Sequence, residues 1–410
     1  MTLSPPALGR DFRTFWFAAA ASNLGDGIRL GALPLLALSL TDDARLIALV
    51  SAATLVPWLL FGPIGGAIVD RQDCRRLMIV GQLGRALLVG GLAVTIAADA
   101  VTVWWVIVVA FGLGVGEVFV DSSSQAAVPQ LVESGQLDRA NGQLIAAITL
   151  FDQVVGVALG AALFGLATGL PFVVDALTFV IGAVLIISIK RPLQGERIAS
   201  TSIRTDIADG MRFLRGHLFL RGMMAAVATS NFAGNVAFGV LVVLLVDDLG
   251  ATEVEFGIVL AVGAVGGVLG SVVASKIARR FGRRRTLAGM PLVLVLSYLV
   301  NATATALWMV SVSFFIASFA IVVFNVPGQS IRQMVTPEPI LGRVVSSFRM
   351  IGMGAAPLGA IVGGVITEAS NVRTANYVAA VVEVGSWVLL VLALQHLDGA
   401  LAAAGATDEM

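Results

Sequence analysis

The sequence predicts an all-α integral membrane protein with about twelve transmembrane helices in two pseudo-symmetric six-helix halves. Three observations predict this fold class: the composition, the lengths of the apolar runs and the repetition of motifs. Of the 410 residues, 58% are hydrophobic and only 13% are charged, and the mean hydropathy is +0.94. A soluble globule cannot keep so much apolar surface from water, so the composition alone indicates a membrane protein.

The individual helices follow from apolar runs long enough to cross a bilayer. A hydrocarbon core of about 30 Å requires about 20 helical residues. Only the first such run carries an ionic pair near its middle. Runs of this length, bounded by charges or turn residues, predict spans over 12–40, 46–69, 77–98, 101–126, 142–166, 171–189, 219–246, 254–278, 286–305, 308–330, 344–367 and 371–395.

The distribution of charge predicts the orientation. Arginines and lysines concentrate in the loops on one side of the predicted helices, whereas the opposite loops are short and mostly acidic. The positive-inside rule therefore places both termini in the cytoplasm. The resulting organisation is an N-terminal six-helix half over 1–189, a cytoplasmic linker over 190–218, a C-terminal half over 219–395 and a cytoplasmic tail over 396–410.

Motifs recur between the two halves. GAIVDRQDCRR at 66–76 ends the second span, and SKIARRFGRRR at 275–285 ends the eighth. VPQLVESGQLDRANG after the fourth span corresponds to VTPEPILGRVVS after the tenth. Duplicated halves are common in transporters and rare in membrane enzymes. Glycines repeat as well, with Gly156, Gly160 and Gly165 in the fifth span against Gly354, Gly359 and Gly363 in the eleventh.

Composition and motifs also narrow the function classes. The formal net charge is zero, which gives no global bias toward nucleic acid. A single cysteine, Cys74, and two histidines leave little material for a disulfide framework or a metal site. No GxSxG, HExxH or phosphate-cradling loop occurs, and no soluble domain is long enough to carry chemistry. We therefore expect neither an enzyme nor a cofactor, and a small molecule rather than nucleic acid as the partner.

Four motifs together carry a family resemblance. They are SNLGDGIRLGALPLLAL in the first helix, GPIGGAIVDRQDCRR after the second, VPQLV followed by LDRANG after the fourth, and PFVVDALTF opening the sixth. In this order the sequence resembles the major facilitator superfamily, in the branch of bacterial exporters that includes siderophore exporters and macrolide or multidrug efflux proteins. The resemblance covers nearly the whole chain. It implies the major facilitator fold in a bacterial cytoplasmic membrane and transport by alternating access.

The loop after the second span matches the family signature G-x-x-x-D-R-x-G-R-R. The resemblance implies that these charges latch the halves in the outward-facing state, although arginines at a cytoplasmic helix end also satisfy topology alone. Asp73-Cys74 replaces the turn glycine and makes the loop one residue longer, and Arg279 stands where the second half would have the acid. The candidate gate residues are Gly66, Asp70, Arg71, Arg75 and Arg76, with Arg279, Arg283 and Arg284 in the second half.

Charged residues inside a span are the strongest candidates for function. Each costs about 2.5–3.5 kcal/mol at the centre of a spanning helix and so needs a partner or a task. Asp26 and Arg29 lie three apart near the middle of the first helix, hence on one face. A change in solvent access could load and release a proton on Asp26, with Arg29 as its partner. The alternative is a permanent structural ion pair.

Further polar residues extend this candidate site. Glu117 and Asp121 are four apart on the fourth helix and share an acidic face, which favours cationic substrates or a second protonation site; Asp152 in the fifth helix can join them. Asn231 and Asn235 on the seventh helix have a spacing suited to a substrate or to a neighbouring helix. We interpret the remaining charges within the spans as structural: Asp175, Glu383 and Arg85. In the tenth helix we interpret a further set as a hinge: Asn325, Pro327 and Gln329.

These features predict a monomeric secondary transporter that exports small amphipathic molecules, either drug-like compounds or a secreted metabolite or siderophore. The sequence contains no ATP-binding cassette, so any accumulation must draw on an ion gradient or on a partner protein, and protons are the expected coupling ion. The antiporter signature is half present. The fifth helix has Gly156-Val157 where antiporters have Gly-Pro, but Pro357 occurs in the comparable part of the eleventh helix. The alternatives are a proton-coupled importer of a small nutrient and a non-transporting membrane sensor or scaffold.

Overall fold

The computed structural model describes residues 8–69, 72–133, 136–193, 203–337 and 340–403. Those residues form helices and short connections, with no strand among them. By length and composition, ten helices in these ranges can cross a membrane. The all-helical membrane fold is therefore confirmed, whereas the count of twelve stays a prediction.

The helices follow one another closely along the chain. Two π-helical segments occur, at Ile148–Gly156 between α5 and α6 and at Val243–Asp248 after α9. The α-helices are α1 (Arg10–Leu40), α2 (Ala44–Val69), α3 (Cys74–Ala97), α4 (Val103–Leu131), α5 (Leu137–Ala147), α6 (Val157–Leu166), α7 (Leu170–Ser188), α8 (Ile203–Gly216), α9 (Leu218–Phe238), α10 (Glu253–Phe281), α11 (Arg283–Thr303), α12 (Leu307–Val335), α13 (Leu341–Ala369), α14 (Val372–Leu394) and α15 (Leu397–Ala403).

Two predicted spans, the first and the seventh, are absent from the ten. They form the helices α1 and α9, which are 31 and 21 residues long. Polar side chains near their middles lower their hydropathy: Asp26 and Arg29 in α1, Asn231 and Asn235 in α9. The same residues that make these helices candidates for function thus make them poor membrane spans by composition.

The chain divides into two compact units. Unit 1 comprises Met1–Leu33 and Ile64–Ser200, and unit 2 comprises Pro34–Pro63 and Thr201–Met410. Most of α1 therefore belongs to unit 1, and most of α2 to unit 2. The predicted division of the sequence at 189 and 219 stays a prediction.

Helix pairing repeats between the units. In unit 1, α3 packs on α4 and α7, and in unit 2, α11 packs in the same way on α12 and α14. Glycines permit a second repeated pairing. A Cβ atom at Gly160 of α6 would overlap the backbone oxygen of Ile28 in α1, and one at Gly363 of α13 would overlap that of Val236 in α9. Close backbone approach of this kind is typical of helices that associate in lipid.

Part of the predicted cytoplasmic linker is an ordered helix. Within the described residues of that linker, α8 packs against α13, and a Cβ atom at Gly210 would overlap the backbone oxygen of Arg343. Leu214 of α8 is fully buried in a cluster with residues of α9 and α13. Asp209 of α8 also pairs with Arg343 at 3.1 Å. The α8 part of the linker is therefore anchored to unit 2.

Candidate functional site

Four charged side chains from three helices of unit 1 meet in one place. Arg29 of α1 donates through Nη2 to Asp26 Oδ1 at 2.8 Å and to Glu117 Oε2 of α4 at 3.1 Å. Arg85 of α3 donates through Nη2 to the same Asp26 Oδ1. We call Asp26, Arg29, Arg85 and Glu117 the ion cluster. It holds two guanidinium groups and two carboxylates, so its formal charges balance.

Arg85 is the member that sequence reasoning had interpreted as structural. Only 1% of the residue is exposed, and its guanidinium carbon lies 4.0 Å from the centre of the Phe179 ring. Its Nη1 also faces the hydroxyl of Ser22 at 3.5 Å. The signal in the sequence for this contact is the cost of a buried arginine, because a charged side chain in a spanning helix needs a partner, and Asp26 can serve as one.

Asp152 lies next to the ion cluster. Its backbone packs so tightly on α1 that a Cβ atom at Gly27 would overlap it. The charged groups that act on its half-buried carboxyl are Asp26, Glu117 and Asp121, which repel it, and Arg29, which attracts it. No hydrogen bond or ion pair holds this carboxyl within the described part of the chain. Asp152 also stands in the π-helical segment Ile148–Gly156, a local geometry often found at functional sites.

Asp175 and Asp121 occupy contrasting positions. Asp175 of α7 is 0% exposed, and neither of its carboxyl oxygens has a hydrogen-bond partner in the described chain. One of these oxygens lies against α1 at Gly25. Asp121 of α4 is exposed, so the predicted acidic face of α4 contributes one residue, Glu117, to the ion cluster.

The two predicted asparagines of α9 lie in unit 2. Asn231 donates through Nδ2 to the backbone oxygen of Gly352 in α13 at 2.9 Å. Asn235 donates through Nδ2 to the backbone oxygen of Asn231 at 2.9 Å. Both also line a cavity of about 740 Å³. Asn231 thus contacts the neighbouring helix α13 and lines the cavity, whereas the hydrogen bond of Asn235 stays within α9.

The cavity is bounded by α9, α11, α12, α13 and α14 of unit 2. Its volume falls in the range of about 300–1,000 Å³ typical of small-molecule sites. Asn325 and Gln329, predicted as part of a hinge in α12, also line it, and Pro327 lies inside the same helix. Behind the lining residue Ser230, the buried carboxyl of Glu383 accepts a hydrogen bond from the serine hydroxyl at 3.0 Å.

The candidate gate residues are only partly described. Asp70 and Arg71 lie outside the described residues, and Gly66 is in α2. Asp73, which replaces the turn glycine, caps α3 by accepting from the backbone nitrogens of Arg75 and Arg76. The Arg75 guanidinium donates to the backbone oxygen of Arg191 at 2.6 Å.

In the second half, Arg279 is exposed at the end of α10. Arg283 contacts the sulfur of Met334 at 3.3 Å, and Arg284 pairs with Asp398 at 3.3 Å. These contacts lie within unit 2. They fix the position of the basic cluster, and its predicted latch role stays a prediction.

Comparison with known proteins points to transport. A family model described as transmembrane secretion effector, within the major facilitator superfamily, matches residues 2–408. The chain is 24% identical over 377 residues to macrolide efflux protein A of Streptococcus pyogenes, covering 88% of this chain and 90% of that protein. It is 28% identical over 372 residues to the multidrug efflux pump Tap of Mycolicibacterium fortuitum, covering 87% and 89%.

Solved structures show the same fold. A bacterial homologue of the iron transporter ferroportin, in its inward-facing state, is 15% identical with a TM-score of 0.77, covering 95% of this chain and all of that one. A mutant of the nucleoside transporter NupG is 13% identical with a TM-score of 0.76 and the same coverage. At such identities the likeness concerns the fold alone.

Proposed function

Since this chain belongs to the major facilitator superfamily, in the family of transmembrane secretion effectors, and is therefore a membrane transporter, we propose that it exports small amphipathic, drug-like molecules. The proposal draws on the similarity to two kinds of efflux protein over nearly nine-tenths of the chain. The apolar cavity with a few amide and hydroxyl groups suits such substrates.

We further propose that export is coupled to protons and that the coupling site consists of the ion cluster and the neighbouring Asp152. Asp26 was the acid favoured by sequence. It accepts from both Arg29 and Arg85, so protonation would disrupt two charge-assisted hydrogen bonds at once. Asp26 therefore acts as the fixed counter-ion of two arginines, and another carboxyl exchanges the proton.

Asp152 suits that exchanging role. Its carboxyl has no ion pair in the described chain and faces the carboxylates of Asp26 and Glu117, so an ionised Asp152 adds a third negative charge to a balanced cluster. The cation that acts on it, Arg29, is already shared by two carboxylates. Among the described residues no group of three His, Cys, Asp or Glu side chains is arranged to hold a metal ion. A proton therefore fits this site better than a metal cation.

Coupling is supported further by the backbone around Asp152. Exchange of the i→i+5 hydrogen bonds of this π-helical segment for the i→i+4 bonds of an α-helix would rotate Asp152 relative to Gly27 of α1. Such a rotation would turn the Asp152 carboxyl either toward the ion cluster or away from it. Alternating access would then expose Asp152 to each side of the membrane in turn.

The experiment is accumulation of a panel of dyes and antibiotics in cells with and without the gene, repeated with a protonophore. Export predicts lower accumulation with the gene and its abolition by the protonophore. We expect Asp152→Asn to remove the protonophore-sensitive part, whereas Asp99→Asn, at an exposed loop position with φ 51°, behaves as the wild type. Higher accumulation with the gene would indicate import, and transport by Asp152→Asn that still depends fully on the gradient would remove Asp152 from the coupling site.

A further inference from the structure

Two arginines of unit 2 line the cavity without a carboxylate partner among the described residues. Arg332 stands near the end of α12, and its guanidinium carbon is 4.2 Å from the centre of the Phe348 ring. Arg349 follows Phe348 directly in α13, and its guanidinium carbon lies 5.1 Å from the centre of the Trp58 ring. Both are among the residues that line the cavity. Neither forms a salt bridge with any described aspartate or glutamate.

The described lining of this cavity carries positive charge that no acidic lining residue balances. Its described lining contains Arg332 and Arg349 but no aspartate or glutamate. By contrast, Arg29, Arg343 and Arg373 each meet a carboxylate oxygen within 3.1 Å. The positive-inside rule accounts for arginines near this end of the helices. It does not account for their position on a concave wall beside amide side chains.

Guanidinium groups in such a setting favour one ligand chemistry. Their planar donors match the two oxygens of a carboxylate or sulfonate. Arg332 is half-buried, whereas Arg349 is exposed at the cavity wall. The aromatic contacts of Arg332 and Arg349 are made through the ring faces and leave in-plane N–H donors available. The side chains of Asn325 and Gln329, on the same helix as Arg332, add neutral polar groups to the wall.

The remainder of the wall is apolar. Phe238 and Phe314 are stacked with ring centres 6.3 Å apart, and both line the cavity together with Phe324 and Leu294. A ligand that fills the cavity therefore meets aromatic and aliphatic surface over part of its length and two cations elsewhere. Such a ligand has an apolar ring system and an acidic group.

We propose that the unit 2 cavity binds amphipathic organic anions, whose carboxylate or sulfonate group is held by Arg332 and Arg349. The proposal rests on the proposed export function in that it names the substrate class. It predicts selection against amphipathic cations of the same size, because these would place a positive charge beside two arginines.

The test uses a matched pair of probes, an anilinonaphthalene sulfonate and its trimethylammonium analogue, with the full chain in nanodiscs. We expect saturable fluorescence enhancement with the sulfonate and at least tenfold weaker binding of the cation. Arg332→Gln and Arg349→Gln should each weaken sulfonate binding by about 10- to 100-fold, the range for loss of a charge-assisted hydrogen bond. Arg332→Lys should recover part of the loss, because the charge remains and the fork geometry does not.

A matched control is Arg221→Gln, which removes an exposed arginine from the first turn of α9, away from the cavity lining. It should bind the sulfonate as the wild type does. Equal binding of both probes, or equal loss in all three glutamine variants, would overturn the proposal. Export of both probes alike would leave the export function intact and refute the anion site. Sulfonate binding that depends on the arginines, without any transport, would support the anion site and refute the export function.

Discussion

At the scale of single residues, the ion cluster depends on a balance of charge. Asp26, Arg29, Arg85 and Glu117 bring together two positive and two negative groups around one position of α1. Removing one member leaves an uncompensated charge in a region with little water. Breaking a buried ion pair in this way costs about 3–5 kcal/mol, far more than an exposed pair.

We therefore predict that Arg85→Gln lowers the thermal unfolding midpoint in detergent, because one guanidinium then faces two carboxylates. The double variant Asp26→Asn with Arg85→Gln should recover part of the loss, because Arg29 and Glu117 then balance. The control is Arg45→Gln, which breaks the exposed pair with Asp43 and should leave the midpoint near that of the wild type. Additive losses in the double variant would show that the cluster is not a charge-balanced unit.

Residue identities in this cluster were only partly predictable from the sequence. The i, i+3 spacing of Asp26 and Arg29 sufficed to predict their pairing, because both lie on one helix. Arg85 is 59 positions away from its partner Asp26, and Glu117 is 88 positions away from its partner Arg29. Which distant side chains meet depends on helix rotation and packing, and spacing along one helix carries no information about either.

At the scale of helices, glycines set the closest contacts. At Gly160 in unit 1 and at Gly363 in unit 2, a Cβ atom would overlap the backbone oxygen of the neighbouring helix. The sequence predicted that glycines recur in these two helices, but not which of them make the closest contacts. It did not predict the π-helical segment around Asp152, because a π-helix has no residue signature comparable to proline or glycine.

We predict that Gly160→Ala destabilises the protein and reduces transport, because α6 must move away from α1 at Ile28. The matched control is Gly90→Ala in α3, where a Cβ atom would meet nothing within 4 Å. Alanine favours a helix over glycine by about 1 kcal/mol, so the control should unfold at the same temperature or higher. The contact would be shown to be unimportant if both variants shifted the unfolding midpoint equally.

At the scale of the whole molecule, composition and apolar run length predicted the fold class, and the motifs predicted the family. Helix pairing repeats between the units as the duplicated sequence motifs led us to expect. The unit 2 cavity could not be predicted in the same way. Its lining comes from five helices, and the arginines that distinguish it have no counterpart in the repeated motifs.

The predicted orientation can be tested with introduced cysteines. In a Cys74→Ser background, Ala100→Cys in the loop between α3 and α4 should react with a membrane-impermeant maleimide added to intact cells. His396→Cys, just after α14, should react only after the cells are opened. Both positions are exposed, so accessibility to the reagent depends on the side of the membrane. Reaction of His396→Cys in intact cells would contradict cytoplasmic termini.

The Asp26–Arg29 pair also bears on how the protein is made. During synthesis α1 leaves the ribosome before α3 and α4 exist, so neither Arg85 nor Glu117 is present to neutralise it. Because Asp26 and Arg29 lie one turn apart on the same helix, they can neutralise each other within the nascent segment and lower the cost of its entry into lipid. The later helices then join a charge pair that is already in place, and the order of biosynthesis becomes the order in which the ion cluster is assembled.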